Sequence, residues 1–415
     1  MNMLESGQLV DLTIGDVAFG GDGVARMEDG QVVFVPFTAV GDRARVQIVE
    51  AHRNFARGVV AELLEGGEGR EEPPCPHYGI CGGCRYQHLT YEKEVATKAA
   101  QLQALLQRVG GFDELPPLEL VFPSPNPYGY RNKLRVEPLE LGDPKAQDPH
   151  LSYGYCQLDN KTFFELDVCL LATLPINEFL PKAQRTPWAK KNARRPRPYP
   201  MTLRQASDGS THLYFGHAPS SIPWLAEKLL GRDVRVPLGV FWQVNPPVAE
   251  ALVQTVRDWF AETPTETLVD AYSGAGTFSL ALSEHAKQCV LIETSRDSLQ
   301  AAEHNHLQWG TPNLDCLCGK AGSMLQRTLA KCSSRDTTVV LDPTRSGCEP
   351  KVIDAIARHR PEQILYVSCN TSTLARDLKR FCADEVYAIR RIALFDMFPR
   401  TAHFETAVQL TRVHA

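Results

Sequence analysis

The chain has 415 residues, with 44 Lys and Arg against 49 Asp and Glu, and 43% of its side chains are apolar. These values exclude a collagen, a coiled coil and a wholly disordered chain. The net charge of −5 also argues against a uniformly basic nucleic-acid binder. At about 150 residues per domain, the length predicts two or three domains.

The cysteine content needs an explanation in the compartment that the sequence predicts. No apolar run reaches the roughly 18 residues of a membrane helix, and residues 1–11 contain Glu5 and no apolar stretch typical of a secretory signal. We therefore expect no membrane association and a cytoplasmic protein. In a reducing cytosol the 12 Cys do not form a disulfide framework, so some of them have another role.

The first region, residues 9–64, has the pattern of a small β domain. Residues 33–37 and 43–49 are predicted strands. Predicted turns separate the strands at residues 20–23, 28–30 and 41–42. About 60 residues of short strands suit an OB-like barrel that binds oligonucleotides, and any other small five-stranded barrel fits the pattern equally well.

The middle region follows a charged, glycine-rich linker at residues 65–74. Residues 91–108 form a predicted amphipathic helix with Leu102 on its apolar face. Farther along, residues 182–197 contain seven Lys or Arg, no acid, and Trp188. We predict a loop there, suited to single-stranded RNA through phosphate contacts and stacking, with a solvated, poorly ordered loop as the alternative.

From about residue 238 onward the pattern is α/β. Residues 267–270, 289–293, 337–342 and 363–368 are apolar runs, and a predicted helix precedes each of the last three. Such strands indicate a parallel sheet with helical crossovers. Ligands bind at the carboxyl edge of such sheets, where four polar side chains are expected to meet. These are Asp270, Glu293, Asp342 and Cys369.

A glycine-containing loop follows the first of these strands, in the sequence Asp-Ala-Tyr-Ser-Gly-Ala-Gly-Thr at residues 270–277. Glu293, 17 residues after Gly276, is placed to accept both ribose hydroxyls of a nucleoside cofactor. NAD and S-adenosylmethionine sites share this arrangement. Ser279 at the third glycine position and Asp270 before the loop favour S-adenosylmethionine, and an ordinary turn is the alternative. The candidate ligands from the loop are Gly274, Gly276 and Thr277.

Two later strand ends carry reactive side chains. Asp342-Pro343 lies where methyltransferases place an acid beside the methyl group, and the absence of an Asn-Pro-Pro-Tyr sequence argues against methylation of an amine. Cys369 is a candidate nucleophile, although a lone cysteine is more often a buried structural residue. Its position at the cofactor crevice favours the nucleophile. Glu405, near the C-terminus, is a candidate general base.

Three closely spaced cysteines, Cys75, Cys81 and Cys84, indicate thiolate metal ligands, with Gly82-Gly83 allowing the chain to wrap tightly. A fourth ligand is needed, and Cys156 and Cys169 are both available. The spacing does not match that of radical S-adenosylmethionine enzymes.

Together these motifs closely resemble the RNA (uracil-5)-methyltransferase family, above all its 23S rRNA branch with an N-terminal TRAM domain. The resemblance covers nearly the whole chain. Besides the cysteines and the loop at Asp270, its markers are residues 130–133, 241–245, 342–345, 368–370, 373–377, 396–399 and 403–405.

The resemblance implies three domains in an α/β protein: a TRAM-like OB barrel at residues 1–64, a central α+β iron–sulfur and RNA-binding domain at 65–237, and a class I (Rossmann-like) methyltransferase domain at 238–415. It implies S-adenosylmethionine as methyl donor, RNA as partner and a monomer. A [4Fe–4S] cluster would be bound by Cys75, Cys81, Cys84 and Cys169. Gln243, Tyr272, Glu293 and Asp342 would line the crevice.

The implied reaction is methylation of uracil at carbon 5, with Cys369 as nucleophile and Glu405 as base. The implied target is 23S rRNA. A tRNA T-loop enzyme and a non-catalytic iron–sulfur RNA-binding protein are the alternatives. The chain departs from the family at Thr371, where Pro is usual, and at Thr344, which replaces the second Pro of the commoner Asp-Pro-Pro-Arg form.

Overall fold

The computed structural model describes residues 4–141, 150–219, 224–311 and 313–414. The described residues fall into two compact units. The first unit comprises Met1–Gln103, Leu139–Leu170 and Phe398–His403, and the second comprises Ala104–Pro138, Leu171–Met397 and Phe404–Ala415. In the part of the chain that the structure describes, no helix is both long and apolar enough to cross a membrane. The three-domain boundaries stay a prediction.

The first unit begins with a six-stranded sheet in the order β1-β5-β6-β4-β3-β2. Its strands are β1 (Leu9–Thr13), β2 (Asp16–Val17), β3 (Asp22–Arg26), β4 (Val32–Pro36), β5 (Arg43–Ala51) and β6 (Phe55–Glu65). Alternate side chains of β4 and β5, such as Val33, Val35, Val46 and Ile48, form its buried core.

Two residues of a predicted turn belong instead to a strand. Asp22 and Gly23 lie in β3, where Gly23 pairs with Val35 of β4. A Cβ atom on Gly23 would lie 2.0 Å from the hydroxyl oxygen of Thr38. Glycine is therefore needed at this position because the Thr38 side chain approaches the backbone closely, and not because the chain turns there.

Helix α1 (Tyr91–Arg108) has the predicted bounds, but its buried face differs from the apolar one expected. Leu102 is buried as predicted, and so are the charged side chains of Glu94 and Lys98. These two form an ion pair of 2.6 Å, and the backbone N–H of Arg400 also donates to Glu94. The pairing offsets the cost of removing the charges from water.

After α1 come β7 (Leu118–Phe122), β8 (Lys133–Leu141), β9 (His150–Cys156) and β10 (Phe163–Glu165). In the first unit β9 and β10 form an antiparallel pair. In the second unit β8 pairs antiparallel with β11 (Met201–Gln205), which pairs in turn with β12 (Thr211–Phe215). A separate hairpin joins β13 (Leu225–Leu229) and β14 (Arg232–Val236).

The loop predicted at residues 182–197 was wrong, because most of the segment is helical. It contains the end of α2 (Leu174–Gln184) and all of α3 (Pro187–Ala193). The hydroxyl of Thr186 accepts a hydrogen bond from the Ala189 N–H at 3.2 Å, and Pro187 occupies the first helical position. Proline is favoured there because that backbone nitrogen has no helical partner.

The second unit contains an eight-stranded sheet in the order β17-β16-β15-β18-β19-β21-β20-β7. Its further strands are β15 (Thr267–Asp270), β16 (Gln288–Glu293), β17 (Leu314–Cys318), β18 (Thr337–Leu341), β19 (Gln363–Ser368), β20 (Tyr387–Phe395) and β21 (Glu405–Arg412). The accompanying helices are α4 (Pro246–Glu262), α5 (Thr277–Leu282), α6 (Arg296–Trp309), α7 (Ala321–Leu329), α8 (Pro350–His359) and α9 (Thr371–Phe381).

This sheet confirms the predicted parallel arrangement. Strands β15 to β19 are parallel, whereas β21 runs antiparallel between β19 and β20. The strand order reverses between β15 and β18, and such a switch point opens a crevice at the carboxyl edge.

Candidate active site

The structure brings the four predicted polar side chains to this carboxyl edge. Asp270 ends β15, Glu293 ends β16, Asp342 follows β18 and Cys369 follows β19. Electrostatic interactions join Asp270 to Glu293 and to Asp342, and join Asp342 to Cys369. Residues that are up to 99 positions apart in the sequence therefore share one crevice.

The glycine loop binds one of these acids through its backbone. Gly274 and Gly276 have φ angles of +53° and +90°, which side-chain-bearing residues adopt rarely. The N–H of Gly274 donates to Glu293 Oε2 at 3.1 Å, and the Ser295 N–H donates to Glu293 Oε1 at 2.7 Å. The carboxylate is thus held beside the loop, where Thr277 begins α5.

Asp270 lies beneath the same loop and is buried. Its Oδ2 accepts from the Ser279 N–H at 3.3 Å, while its Oδ1 has no hydrogen-bond partner among the described residues. Burial raises the pKa of this carboxyl to about 7, and Glu293 adds to the effect. Hydrogen bonds from the backbone N–H groups of Ser279 and Tyr272 oppose this rise, so the loop helps to hold the Asp270 carboxyl at the crevice.

Cys369 is surrounded by two carboxyl groups and one cationic guanidinium group. Burial, together with Glu405 and Asp342, raises the pKa of the Cys369 thiol to about 12, and the Arg345 guanidinium opposes this rise. Glu405 is 7% exposed, and its pKa is also raised, first by burial and then by Asp342. Its Oε2 finds no hydrogen-bond partner in the described part of the chain.

The loop that contains Arg345 is fastened to the segment that follows Cys369. The Asn370 side-chain amide donates to the Arg345 carbonyl at 2.9 Å, and Arg376 donates to the Ser346 carbonyl at 3.0 Å. These bonds fix Arg345 relative to the thiol. In the sequence, residues 373–377 are only a family marker, because nothing there indicates which carbonyls they bind.

Asp377 completes this connection from a buried position. Its Oδ2 accepts from the Cys348 N–H and from the Tyr366 hydroxyl, both at 2.8 Å, and its Oδ1 pairs with Arg376. Gly347 lies against the pair, and a Cβ atom there would be 2.6 Å from the carboxylate. Asp377 is therefore a positioning residue that sequence analysis missed.

The two remaining predicted crevice residues are placed differently. Tyr272 is half-buried, and its hydroxyl accepts from the Glu349 N–H at 3.4 Å, beside the loop that follows Asp342. Gln243 is buried in the segment before α4, where its carbonyl accepts from the Asn132 side chain at 3.1 Å. Their roles at a cofactor stay predictions.

The predicted metal ligands lie near one another in the first unit. Cys81 interacts electrostatically with Cys169, Cys75 and Cys156, and Cys84 interacts with Cys169, Cys81 and Cys75. Burial, together with the neighbouring thiols, raises the pKa of the Cys81 thiol to about 11. Burial, opposed by Gln87, raises the pKa of Cys84 as well.

Local structure holds this cysteine group together. The Gly82 N–H donates to the Cys156 carbonyl at 3.0 Å, and the Gly83 N–H donates to Cys81 Sγ at 3.4 Å. A Cβ atom on Gly82 would lie 2.7 Å from the Gln157 carbonyl, so only glycine allows this approach.

The donor atoms of this group are thiols, which iron–sulfur clusters take as ligands. Among the described residues, no three Cys, His, Asp or Glu side chains are arranged to hold a metal ion. An iron–sulfur cluster holds its thiolates farther apart than a single ion does, because iron and sulfide stand between them. The cluster on these cysteines stays a prediction.

Comparison with known proteins adds two family matches. The family described as tRNA (Uracil-5-)-methyltransferase matches residues 231–413, and the TRAM domain matches residues 4–61. An uncharacterized RNA methyltransferase of Nostoc is 31% identical over 97% of this chain and 96% of its own length. An uncharacterized RNA methyltransferase of Synechocystis is 32% identical over 99% of this chain and 97% of its own length.

A solved structure confirms the predicted fold class. The tRNA (uracil-54, C5)-methyltransferase of Pyrococcus abyssi, in complex with S-adenosyl-L-homocysteine, is similar with a TM-score of 0.70. The similarity covers 97% of this chain and 100% of that protein at 22% identity. The fold is thus that of a class I methyltransferase with an N-terminal TRAM domain.

Proposed function

Because the chain belongs to the tRNA (uracil-5-)-methyltransferase family and is an RNA methyltransferase, we propose that it methylates carbon 5 of a specific uridine in 23S rRNA. The observation that carries the proposal is the group formed by Cys369, Glu405, Asp342 and Arg345 at one sheet edge. This group supplies a nucleophile, a base and charges of both signs around a planar substrate.

Carbon 5 of uracil is too weak a nucleophile to accept a methyl group unaided. The Cys369 thiolate forms a bond to carbon 6, and the ring electrons move onto the oxygen of an enolate. Carbon 5 of the enolate then takes the methyl group, which S-adenosylmethionine supplies. Glu405 accepts the proton from carbon 5, and the bond between sulfur and carbon 6 breaks to restore the ring and release the thiolate.

The charges around Cys369 explain why the ligand-free thiol is protonated. Burial, Glu405 and Asp342 all disfavour a thiolate, and Arg345 favours it. A cationic methyl donor at the same edge adds positive charge, which lowers the pKa of the thiol. The nucleophile is therefore formed when the methyl donor is bound, and Asp342 remains available to hydrogen-bond to the base.

The methyl donor fits the glycine loop. Glu293 is placed to accept the ribose hydroxyls, and Gly274, Gly276 and Thr277 line the turn beside it. We assign Tyr272, Gln243 and Asp342 to the same crevice. The uracil edge is inaccessible in a stacked helix, so the target base has to be flipped out.

We also propose a [4Fe–4S] cluster on Cys75, Cys81, Cys84 and Cys169. Cys169 interacts with both Cys81 and Cys84, which supports it over Cys156 as the fourth ligand. The cluster would cross-link residues 75–84 to residue 169 and so stabilise the first unit. It has no part in methyl transfer.

The target RNA has one specific alternative. The structural relative acts on uracil 54 of tRNA, and the same chemistry serves both RNAs. Mapping 5-methyluridine in the rRNA and tRNA of a strain without this protein tests the choice. We expect one rRNA site to be lost and tRNA to be unchanged. If 5-methyluridine were lost only from tRNA, the target would be tRNA instead of 23S rRNA, and the proposed chemistry would stand.

The non-catalytic alternative does not fit a member of this enzyme family with Cys369 and Glu405 both present. The proposal also places a monomer in the cytoplasm, where its RNA substrate is found.

A further inference from the structure

A strongly basic surface lies on the second unit, and none of its residues has a part in the proposed reaction. We call it the basic face. It consists of the side chains of Lys182, Arg185, Trp188, Lys190, Lys191, Arg194, Arg195, Arg197 and Tyr199. All nine are exposed, and no Asp or Glu occurs from residue 179 to residue 207. In a chain with a net charge of −5, this concentration of positive charge is local.

The basic face is held by a fixed frame. Ala189 and Asn192 of α3 are buried, so the helix packs on one side and shows its cations on the other. The Asn192 amide donates to the Tyr199 carbonyl at 2.7 Å, and the Tyr199 N–H donates back to Asn192 Oδ1 at 3.3 Å. These bonds connect the backbone at Tyr199 to α3, so the chain segments that carry the cations are joined to each other.

Two aromatic rings lie among the cations. Trp188 is 77% exposed, an unusual position for the largest apolar side chain. The Arg195 guanidinium lies 4.9 Å from the centre of the exposed Tyr199 ring. Exposed rings beside cations suit nucleic acid whose bases are free to stack, because each base presents a flat π surface and each linkage a phosphate.

We propose that the basic face binds a single-stranded stretch of the RNA substrate outside the target uridine, with phosphates on the cations and bases on Trp188 and Tyr199. The proposal rests on the proposed function for the identity of the RNA. Duplex RNA is the poorer partner, because its bases are stacked on one another and cannot reach the rings.

The test compares two variants with the same change of charge. The first replaces Lys190, Lys191, Arg194 and Arg195 with Gln. The matched control replaces four exposed cations of α7, α8 and the segment between α7 and β18 with Gln, namely Arg327, Lys331, Arg335 and Arg358. The dissociation constant for a fluorescein-labelled single-stranded RNA of 20 nucleotides is measured from 50 to 400 mM KCl, and S-adenosylhomocysteine binding checks the fold.

The logarithm of the association constant falls as the logarithm of the salt concentration rises, and each phosphate contact adds about 0.7 to the steepness of this fall for a single strand. The first variant, which loses four cations, should therefore show a slope that is less steep by up to about 3 units. The control should keep the wild-type slope. Trp188→Ala should weaken binding roughly fivefold or more with little change in slope, because stacking involves no counterions. Equal slopes for the two quadruple variants would overturn the proposal, and so would equal wild-type affinity for a 20-base-pair duplex.

The outcome separates this proposal from the proposed function. If the wild-type enzyme methylates uracil but both quadruple variants show the same salt slope, the proposed function stands and the proposal for the basic face is wrong. If the wild-type enzyme transfers no methyl group to uracil, the proposed function is wrong. A difference in salt slope between the two variants would still establish RNA binding at the basic face.

Discussion

The protein contains two groups of buried thiols that differ in what surrounds them. In the first unit Cys81 and Cys84 interact with other cysteines, so every charge that forms there is negative. In the second unit Cys369 has acids beside it, but Arg345 is also within electrostatic range. A thiolate in the first group needs a cation from outside the chain, whereas Cys369 has one of its own.

The difference fits the two roles that we propose, a structural site and a reactive one. Thiols that repel one another when ionised are stable as thiolates only around a metal centre, which then holds several chain segments together. A single thiol between acids and a guanidinium is sensitive to small changes of charge and can form and break a bond in each turnover.

The largest expected effect comes from removing the reactive thiol. Cys369→Ala should lower methyl transfer roughly 10⁴-fold or more, because no other group can activate carbon 5. Binding of S-adenosylhomocysteine, measured by calorimetry, should be unchanged. Cys382→Ala, which removes a cysteine after α9, is the control and should retain activity. Turnover by the Cys369 variant would remove the nucleophile assignment.

Removing the base should stop the reaction at a later step. Glu405→Gln is expected to lower turnover about 10²- to 10⁴-fold, because the proton on carbon 5 then has no acceptor. The adduct with RNA should accumulate and be visible as a slower band on a denaturing gel. The double variant with Cys369→Ala should give no band. A Glu405→Gln enzyme that turns over slowly without an adduct would contradict the role.

The cysteine group should respond through stability rather than chemistry. Anaerobically purified protein should contain four iron atoms per chain, and Cys84→Ser or Cys169→Ser should lose them, with a fall in Tm of about 5 °C or more. Cys156→Ser is the matched control and should keep both iron and Tm. If the Cys156 variant lost its iron and the Cys169 variant kept it, Cys156 rather than Cys169 would be the fourth ligand.

The smallest expected effect is on the pH profile. Cys369 and Glu405 both have raised pKa values and both act deprotonated, so kcat/KM should rise with pH. Arg345 lowers both pKa values. Arg345→Gln should therefore move the rising limb of the profile to higher pH by about one unit. Arg345→Lys, which keeps the charge, should leave it near its wild-type position. An unshifted profile for the Gln variant would exclude this electrostatic role.

The sheet and its acidic edge could be predicted from the sequence. Apolar runs bounded by Asp270, Glu293, Asp342 and Cys369 gave the parallel strands, because a strand buried on both faces has no other pattern. The structure also places these four side chains as expected, since parallel strands end at the same edge.

Other features depend on contacts that no local pattern contains. The buried ion pair of Glu94 and Lys98 lies outside the predicted apolar face of α1, and only the folded chain supplies the donor from Arg400. The role of Asp377 depends on the Cys348 N–H, 29 positions away. The basic segment, predicted as a loop, contains α3, which begins at Pro187.

The most direct test of the account uses RNA that carries tritium at carbon 5 of uridine and S-adenosylmethionine with a ¹⁴C-labelled methyl group. Attack by Cys369 and proton removal by Glu405 predict one tritium released to water for each methyl group incorporated. Methyl incorporation with the tritium retained would show that another atom is methylated and would contradict the account.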